Sequence, residues 1–249
     1  MRKKNNLFLP VVGLLVLLLV WAAATLLVGN EYVLPSPWET VVAAVKLLGE
    51  GNFYTAFFAT LGRAVLAFLI ALVFGVGFAL AAYLSPVFEK ILRPMVAVLR
   101  SLPTMAVLLL ILTWFTPLVA PVVIGVMTLF PILYTATYSA LGGVDKRLVE
   151  MSNVYRVPLA TQVKKLYLPR VMPKLVLEGF AGLSFALKLI VSAEVLTLTY
   201  RSLGGWLQES AIAANRTELM AITLLVCLVG IAVEWLGVWL AAKGAKECD

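Results

Sequence analysis

Apolar runs long enough to cross a bilayer recur along this chain, and no other feature constrains its fold so tightly. A helix of about 20 residues spans a hydrocarbon core about 30 Å thick, because each residue rises about 1.5 Å. Six runs meet that length: Leu7–Val28, Tyr54–Leu84, Met95–Trp114, Val119–Ala140, Leu175–Leu198 and Met220–Ala242. In hydrocarbon the backbone must satisfy its own polar groups, which leaves helices and closed barrels. A barrel needs short alternating segments, and none is visible. Composition agrees: of 249 residues 62% are hydrophobic and 13% charged, about half the charged fraction of soluble domains. The expected fold class is therefore an all-α polytopic membrane protein. It forms one membrane domain over residues 1–249, with a first span at 7–28 and core spans within 54–242.

The net charge of +7 reads as an orientation signal. With both termini cytoplasmic, the inner segments hold 14 Lys/Arg against 5 acids, and the outer segments hold 3 against 5. Cytoplasmic enrichment in Lys/Arg is the positive-inside pattern, so no nucleic-acid partner is expected; the lipid bilayer is. The start, MRKKNN before an apolar run and WAAAT, has the look of a secretory leader. The apolar stretch continues to Val28, which favours an uncleaved first span.

Several chemistries lack their residues. The chain has no histidine, which removes the usual base of a nucleophilic triad and the commonest metal ligand. Cys227 in a span and Cys248 in the tail form neither a zinc site nor a disulfide, so no metal is expected. No G-x-x-x-x-G-K-[ST] occurs. A non-catalytic membrane subunit is expected, with no cofactor of its own; any ATP consumed in transport is bound and hydrolysed by another subunit.

The connections carry more information. VLPSPWETVVAAVKLLGEG offers Ser36 as N-cap, Pro37 at the first helical position and Glu39 three residues after the cap. This predicts an outer amphipathic helix within 34–51, with Val41, Val42, Val45, Leu47 and Leu48 on its apolar face. Pro103 lies in or at the start of an apolar run. It either kinks a pore-lining helix or marks a loop before the span.

Between the fourth and fifth spans lies the longest polar segment, 144–174. Asp145 can cap a helix carrying Leu148, Val149, Met151, Ser152 and Tyr155, which should stop near Arg156 because Pro158 disfavours helix at Val157. Pro158 can open a second short helix, Leu159 to Leu168, ended by Pro169. Such a helical hairpin suits either the membrane surface or a soluble partner.

This segment resembles the EAA loop of the membrane subunits of bacterial ABC importers. Glu150 matches the pattern's Glu, and Leu166, Leu168 and Pro169 match its closing residues. Met151 and Ser152 replace the two alanines, and Arg156 stands where the pattern has glycine. The likeness extends further: VLPSPWETV, LRSLPTMAVLLLIL with Arg100 and Pro103, Trp114-Phe115, Phe130-Pro131 and Ala193-Glu194 are similar to the nitrate/sulfonate/taurine branch. The resemblance implies a type I importer permease with the MetI-like fold, in a bacterial inner membrane. It implies partners: cytoplasmic ABC ATPase subunits, a second permease copy forming a homodimer, and an extracytoplasmic solute-binding protein. The ATPase is expected to dock on Glu150, Met151, Ser152, Tyr155, Arg156, Val157, Pro158, Leu168 and Pro169. The cargo expected is a small anionic or polar solute such as nitrate, a sulfonate, taurine or a vitamin precursor. The contrasting reading, a secondary transporter or channel without an ATPase, would show two repeated halves with broken helices; none is visible.

Ionisable groups inside spans are costly and mark either a path or a pair. Arg63, Glu178 and Glu234 are read as snorkelling near span ends. Lys188 and Glu194, six residues apart in the fifth span, point to different helix faces. With Arg100 and Pro103 they are the candidate path residues; for Lys188 an ion pair with another span is the equal alternative.

Overall fold

The computed structural model describes residues 8–30 and 32–246 and places most of them in helices. The predicted span start at Leu7, the basic cluster at Arg2, Lys3 and Lys4, and Cys248 lie outside the described residues. Eleven helices are described: α1 (Phe8–Val28), α2 (Pro37–Leu48), α3 (Gly51–Leu84), α4 (Pro86–Ser101), α5 (Thr104–Ile111), α6 (Ala120–Gly142), α7 (Lys146–Val154), α8 (Leu159–Gln162), α9 (Leu168–Thr197), α10 (Leu203–Ile212) and α11 (Arg216–Lys246). Among the described residues five stretches are long and apolar enough to cross a membrane, 11–28, 51–84, 120–142, 159–197 and 216–241, and the bent pair α4–α5 counts as a sixth if it is one span.

The centre is built from α3, α6 and α9, with α11 against α9. Small residues make this approach possible. Ala56, Thr60, Ala64, Ala67, Ala71, Gly75 and Ala79 are the buried face of α3. A Cβ on Gly75 would sit 3.0 Å from the Leu133 Cβ and 3.1 Å from the Tyr134 nitrogen on α6. Close backbone approach substitutes for the hydrophobic drive that lipid removes. By contrast α1 is exposed from Val11 to Val20 and touches the rest through its other end, where the Trp21 indole donates to the Pro35 carbonyl at 3.2 Å.

The expected cap of α2 is present: the Glu39 amide donates to Ser36 Oγ at 3.2 Å, and the Ser36 amide to Glu39 Oε2 at 3.0 Å. The apolar face and the buried face of α2 coincide only at Leu47. Thr40, Ala44 and Leu47 are buried, while Val41, Val45 and Leu48 are exposed. The smaller residues let α2 lie against α11.

Two predicted boundaries are corrected. The third span does not run over Met95–Trp114 as one element, and the break expected at Pro103 is present. α4 stops at Ser101 and α5 starts at Thr104, at 93° to it. Pro103 has no amide hydrogen to continue the ladder and serves instead as the residue before α5. Pro169 does not end a helix either. Residues 163–167 form a π-helical turn in which the Leu168 amide donates to the Val163 carbonyl, and Pro169 sits in the first turn of α9. The wider turn absorbs the proline, so Leu159–Thr197 reads as one span instead of Leu175–Leu198.

Candidate functional site: a helical hairpin, two charge pairs and a cleft

α7 and α8 form the hairpin that the polar segment predicts. Asp145 caps α7, its carboxylate accepting the Arg147 amide at 2.9 Å. The helix closes with two bonds, from the Arg156 amide to the Asn153 carbonyl at 3.0 Å and from the Val157 amide to the Ser152 carbonyl at 2.9 Å. This is the glycine-type helix ending known as the Schellman motif, made here without glycine. Arg156 adopts φ +50, a left-handed conformation that costs an L-residue roughly 1–2 kcal/mol. The turn keeps its geometry and Arg156 bears the strain.

Gln162, a residue the sequence did not single out, locks this turn. It is buried, and its amide donates to the Asn153 side chain at 3.2 Å and to the Val157 carbonyl at 2.9 Å. Ser152 is also buried, its hydroxyl donating to the Val149 carbonyl at 2.7 Å. Glu150 and Met151, with Tyr155, Arg156, Pro158, Leu168 and Pro169, face outward, and Val157 is half-buried. The outward apolar groups are large: Val154 is 78% exposed, Tyr155 76% and Leu159 54%. A contiguous apolar patch beside a carboxylate is the composition of a docking surface. The hairpin is anchored below by Tyr167, which packs with Leu141, Val144 and Val171 and meets the Tyr83 ring edge-on at 5.5 Å.

The intramembrane charges divide into two kinds. Glu194 is wholly buried near the end of α9. Its carboxylate pairs with Arg63 of α3, accepts the Thr60 hydroxyl at 2.8 Å, and accepts the Gly204 amide of α10 at 3.2 Å. Thr60 in turn accepts the Leu203 amide at 3.0 Å. The fit is tight, since a Cβ on Gly204 would lie 2.3 Å from the Glu194 Cβ. Arg63 therefore does not snorkel, and Glu194 is a joint between α3, α9 and α10 with no free surface. Lys188 pairs with Glu234 of α11 at 3.4 Å, and both side chains remain about half exposed, 49% and 48%. Glu234 was expected near a span end; the pair instead lies nine residues before the end of α9, about 14 Å along its axis.

Arg100 lies in the last turn of α4, just before the break at Pro103. Together with Glu89, Arg93, Val96 and Ala97 it faces Tyr134, Thr135 and Tyr138 of α6 across a cleft of about 470 Å³. Pro103 itself does not line that cleft. Among the described residues no cluster of three or more metal-ligating acids or cysteines occurs.

This arrangement has known counterparts. A family profile described as "Binding-protein-dependent transport system inner membrane component" matches residues 72–244. The putative aliphatic sulfonates transport permease of Bacillus subtilis is 29% identical over 171 residues, 68% of this chain; the match spans 62% of that relative's own length. The taurine transport system permease of Escherichia coli is 29% identical over 237 residues, covering 89% of this chain and 80% of the relative. The formylaminopyrimidine transport permease of Halalkalibacterium halodurans is 24% identical over 193 residues, 77% and 75% of the two chains. Among solved structures, the fold is similar to an inward-facing form of the MetNI methionine ABC transporter, with TM-score 0.69 and 17% identity over 78% of this chain and 96% of that one. An amino acid ABC transporter gives TM-score 0.66 and 14% identity, covering 82% and 96%. With its multi-pass helical bundle and a family match covering more than half its length, the chain belongs to the inner membrane components of binding-protein-dependent transport systems.

Proposed function

We propose that this permease is the membrane subunit of an ATP-driven importer for a small oxyanion-bearing solute of the sulfonate or taurine kind, delivered by an extracytoplasmic binding protein. The sulfonate and taurine permeases among its relatives support the solute class. Two identical copies enclose the path, both termini are cytoplasmic, and a separate ATPase binds the nucleotide. The Lys/Arg distribution supports that orientation.

The observation that carries this reading is the α7–α8 hairpin. Its backbone is fixed by an aspartate cap, a Schellman ending and Gln162, while Glu150, Met151, Val154, Tyr155 and Leu159 stand outward without intramolecular use. A rigid knob seated in an ATPase groove transmits closure as a rigid-body movement into α9, which continues from it through the π-turn. Such coupling requires contacts that differ between inward- and outward-facing states.

Lys188 and Glu234 are the path residues in this reading. A half-exposed ion pair so far from either helix end is incompatible with contact to hydrocarbon, so its open side faces a hydrated path or the second copy. Glu194 belongs to the scaffold.

The test is purification from the native host in mild detergent. A co-purifying P-loop ATPase is expected, and Glu150→Ala combined with Tyr155→Ala should release it. Recovery of the intact permease without any ATPase would overturn the reading.

A further inference from the structure

The cleft between α4 and α6 has the chemistry of an anion site. Arg93 and Arg100 are seven residues apart, two helical turns, so both fall on one face of α4 about 10 Å apart along its axis. Glu89 lies on the same wall, giving two cations to one carboxylate. Among the described residues the direct ion pairs are Arg63–Glu194 and Lys188–Glu234, so neither cleft arginine is locked in a direct ion pair, and Glu89, one turn before Arg93, offsets only one of the two positive charges. Opposite them Tyr134 and Tyr138 stack at 5.9 Å and line the cleft, with Thr135 between them in sequence. A volume of about 470 Å³ lies in the range of small-molecule pockets, roughly 300–1,000 Å³.

The position of the cleft matters as much as its charge. Tyr138 contacts Tyr83 at 6.1 Å, and Tyr83 contacts Tyr167 beneath the hairpin, so the cleft lies at the hairpin end of the bundle. Farther along α6, about ten residues before Tyr134, Leu99, Leu102, Thr104 and Val107 close on Ile124 and Met127 and leave about 10 Å³. Charges serving topology alone need no shared wall; Lys90, on the same helix and exposed as Arg93 and Arg100 are, lies outside the cleft.

We propose that this cleft is an exit-side subsite for the oxyanion group of the cargo, with Arg100 and then Arg93 as successive ligands. A guanidinium presents a planar fork of donors that matches two oxygens of a sulfonate. Spacing by two turns lets the anion pass from one fork to the next on its way out. The proposal rests on the permease reading above and specifies where its cargo binds.

The test uses the purified permease–ATPase complex in nanodiscs of neutral phosphatidylcholine. Phenylglyoxal modification of each arginine is followed by peptide mass spectrometry in ethanesulfonate, in chloride at equal ionic strength, and in uncharged diethyl sulfone. Ethanesulfonate should slow modification of Arg93 and Arg100 several-fold and leave the exposed Arg147 and Arg170 unchanged. Equal rates in all three solutions overturn the proposal. So does protection that arises only when phosphatidylglycerol replaces the neutral lipid, since that assigns the cleft to a lipid headgroup. In proteoliposomes, R93Q and R100Q should each cut sulfonate uptake roughly tenfold or more, with partial rescue by R100K and no loss in K90Q. Equal losses in K90Q and R93Q would overturn it too. Failure of the underlying permease reading is separately visible as binding protein that leaves ATP hydrolysis unstimulated in the wild type.

Discussion

Arg63–Glu194 and Lys188–Glu234 are both ion pairs between spans, yet their surroundings are opposite. Glu194 has no exposed surface and spends its carboxylate on a guanidinium, a hydroxyl and a backbone amide. Lys188 and Glu234 hold one contact at 3.4 Å and stay half exposed. A charge enclosed on all sides belongs to architecture, because removing one partner strands the other in a medium that cannot solvate it. A charge left open near the middle of a span belongs to something that passes or docks there. In the first case mutation should cost stability, in the second transport.

Four substitutions press on that contrast. The largest stability effect is expected for Glu194→Ala, which leaves Arg63 buried without an acid and frees the start of α10; a loss of about 3–5 kcal/mol is expected, read by denaturant titration in detergent. Gly204→Ala tests the same joint sterically. Its Cβ would lie 2.3 Å from the Glu194 Cβ and 2.5 Å from the Val191 carbonyl oxygen, and overpacking of this kind costs about 1–3 kcal/mol. Arg156→Gly should act in the opposite direction. Relief of about 1–2 kcal/mol of left-handed strain, less roughly 0.5–1 for the looser unfolded chain, leaves a gain of about 0.5–1 kcal/mol in the same titration. Lys188→Met should change stability least, by less than about 1 kcal/mol, because the Glu234 carboxylate is half exposed. It should nevertheless abolish uptake in proteoliposomes with the ATPase still bound. A Lys188→Met protein as unstable as Glu194→Ala would erase the distinction between the pairs, and one that transports normally would remove Lys188 from the path.

The legible parts of the sequence were those governed by local rules. The capping box at Ser36 and Glu39 and the Asp145 cap need only neighbours in sequence, and both form. The end of α7 two residues before the left-handed Arg156 follows from Pro158, and Arg156 takes the conformation that the glycine pattern implies. Of the prolines, Pro103 was legible as a break and Pro169 was misread as a stop. Pro103 separates two helices at 93° and Pro169 lies inside one; a proline's missing donor is visible in sequence, but whether a π-turn absorbs it is a matter of surrounding packing. Gln162 gave no signal at all, since a lone polar residue in a surface segment becomes a lock only when the two arms of the hairpin meet.

Amphipathic faces and partners of charges were decided at longer range. Periodicity marked Val41, Val45 and Leu48 as an apolar face without saying what it meets, and the protein buries the smaller Thr40 and Ala44. Glu194 and Arg63 are 131 residues apart, and no local rule joins them. Hydrophobic run length and the Lys/Arg bias determined by themselves that this chain is a polytopic helical membrane protein, because a bilayer imposes its thickness on any sequence that crosses it. Only the tertiary structure decided which of its charges are sealed and which remain open, because that depends on which helix supplies the neighbour.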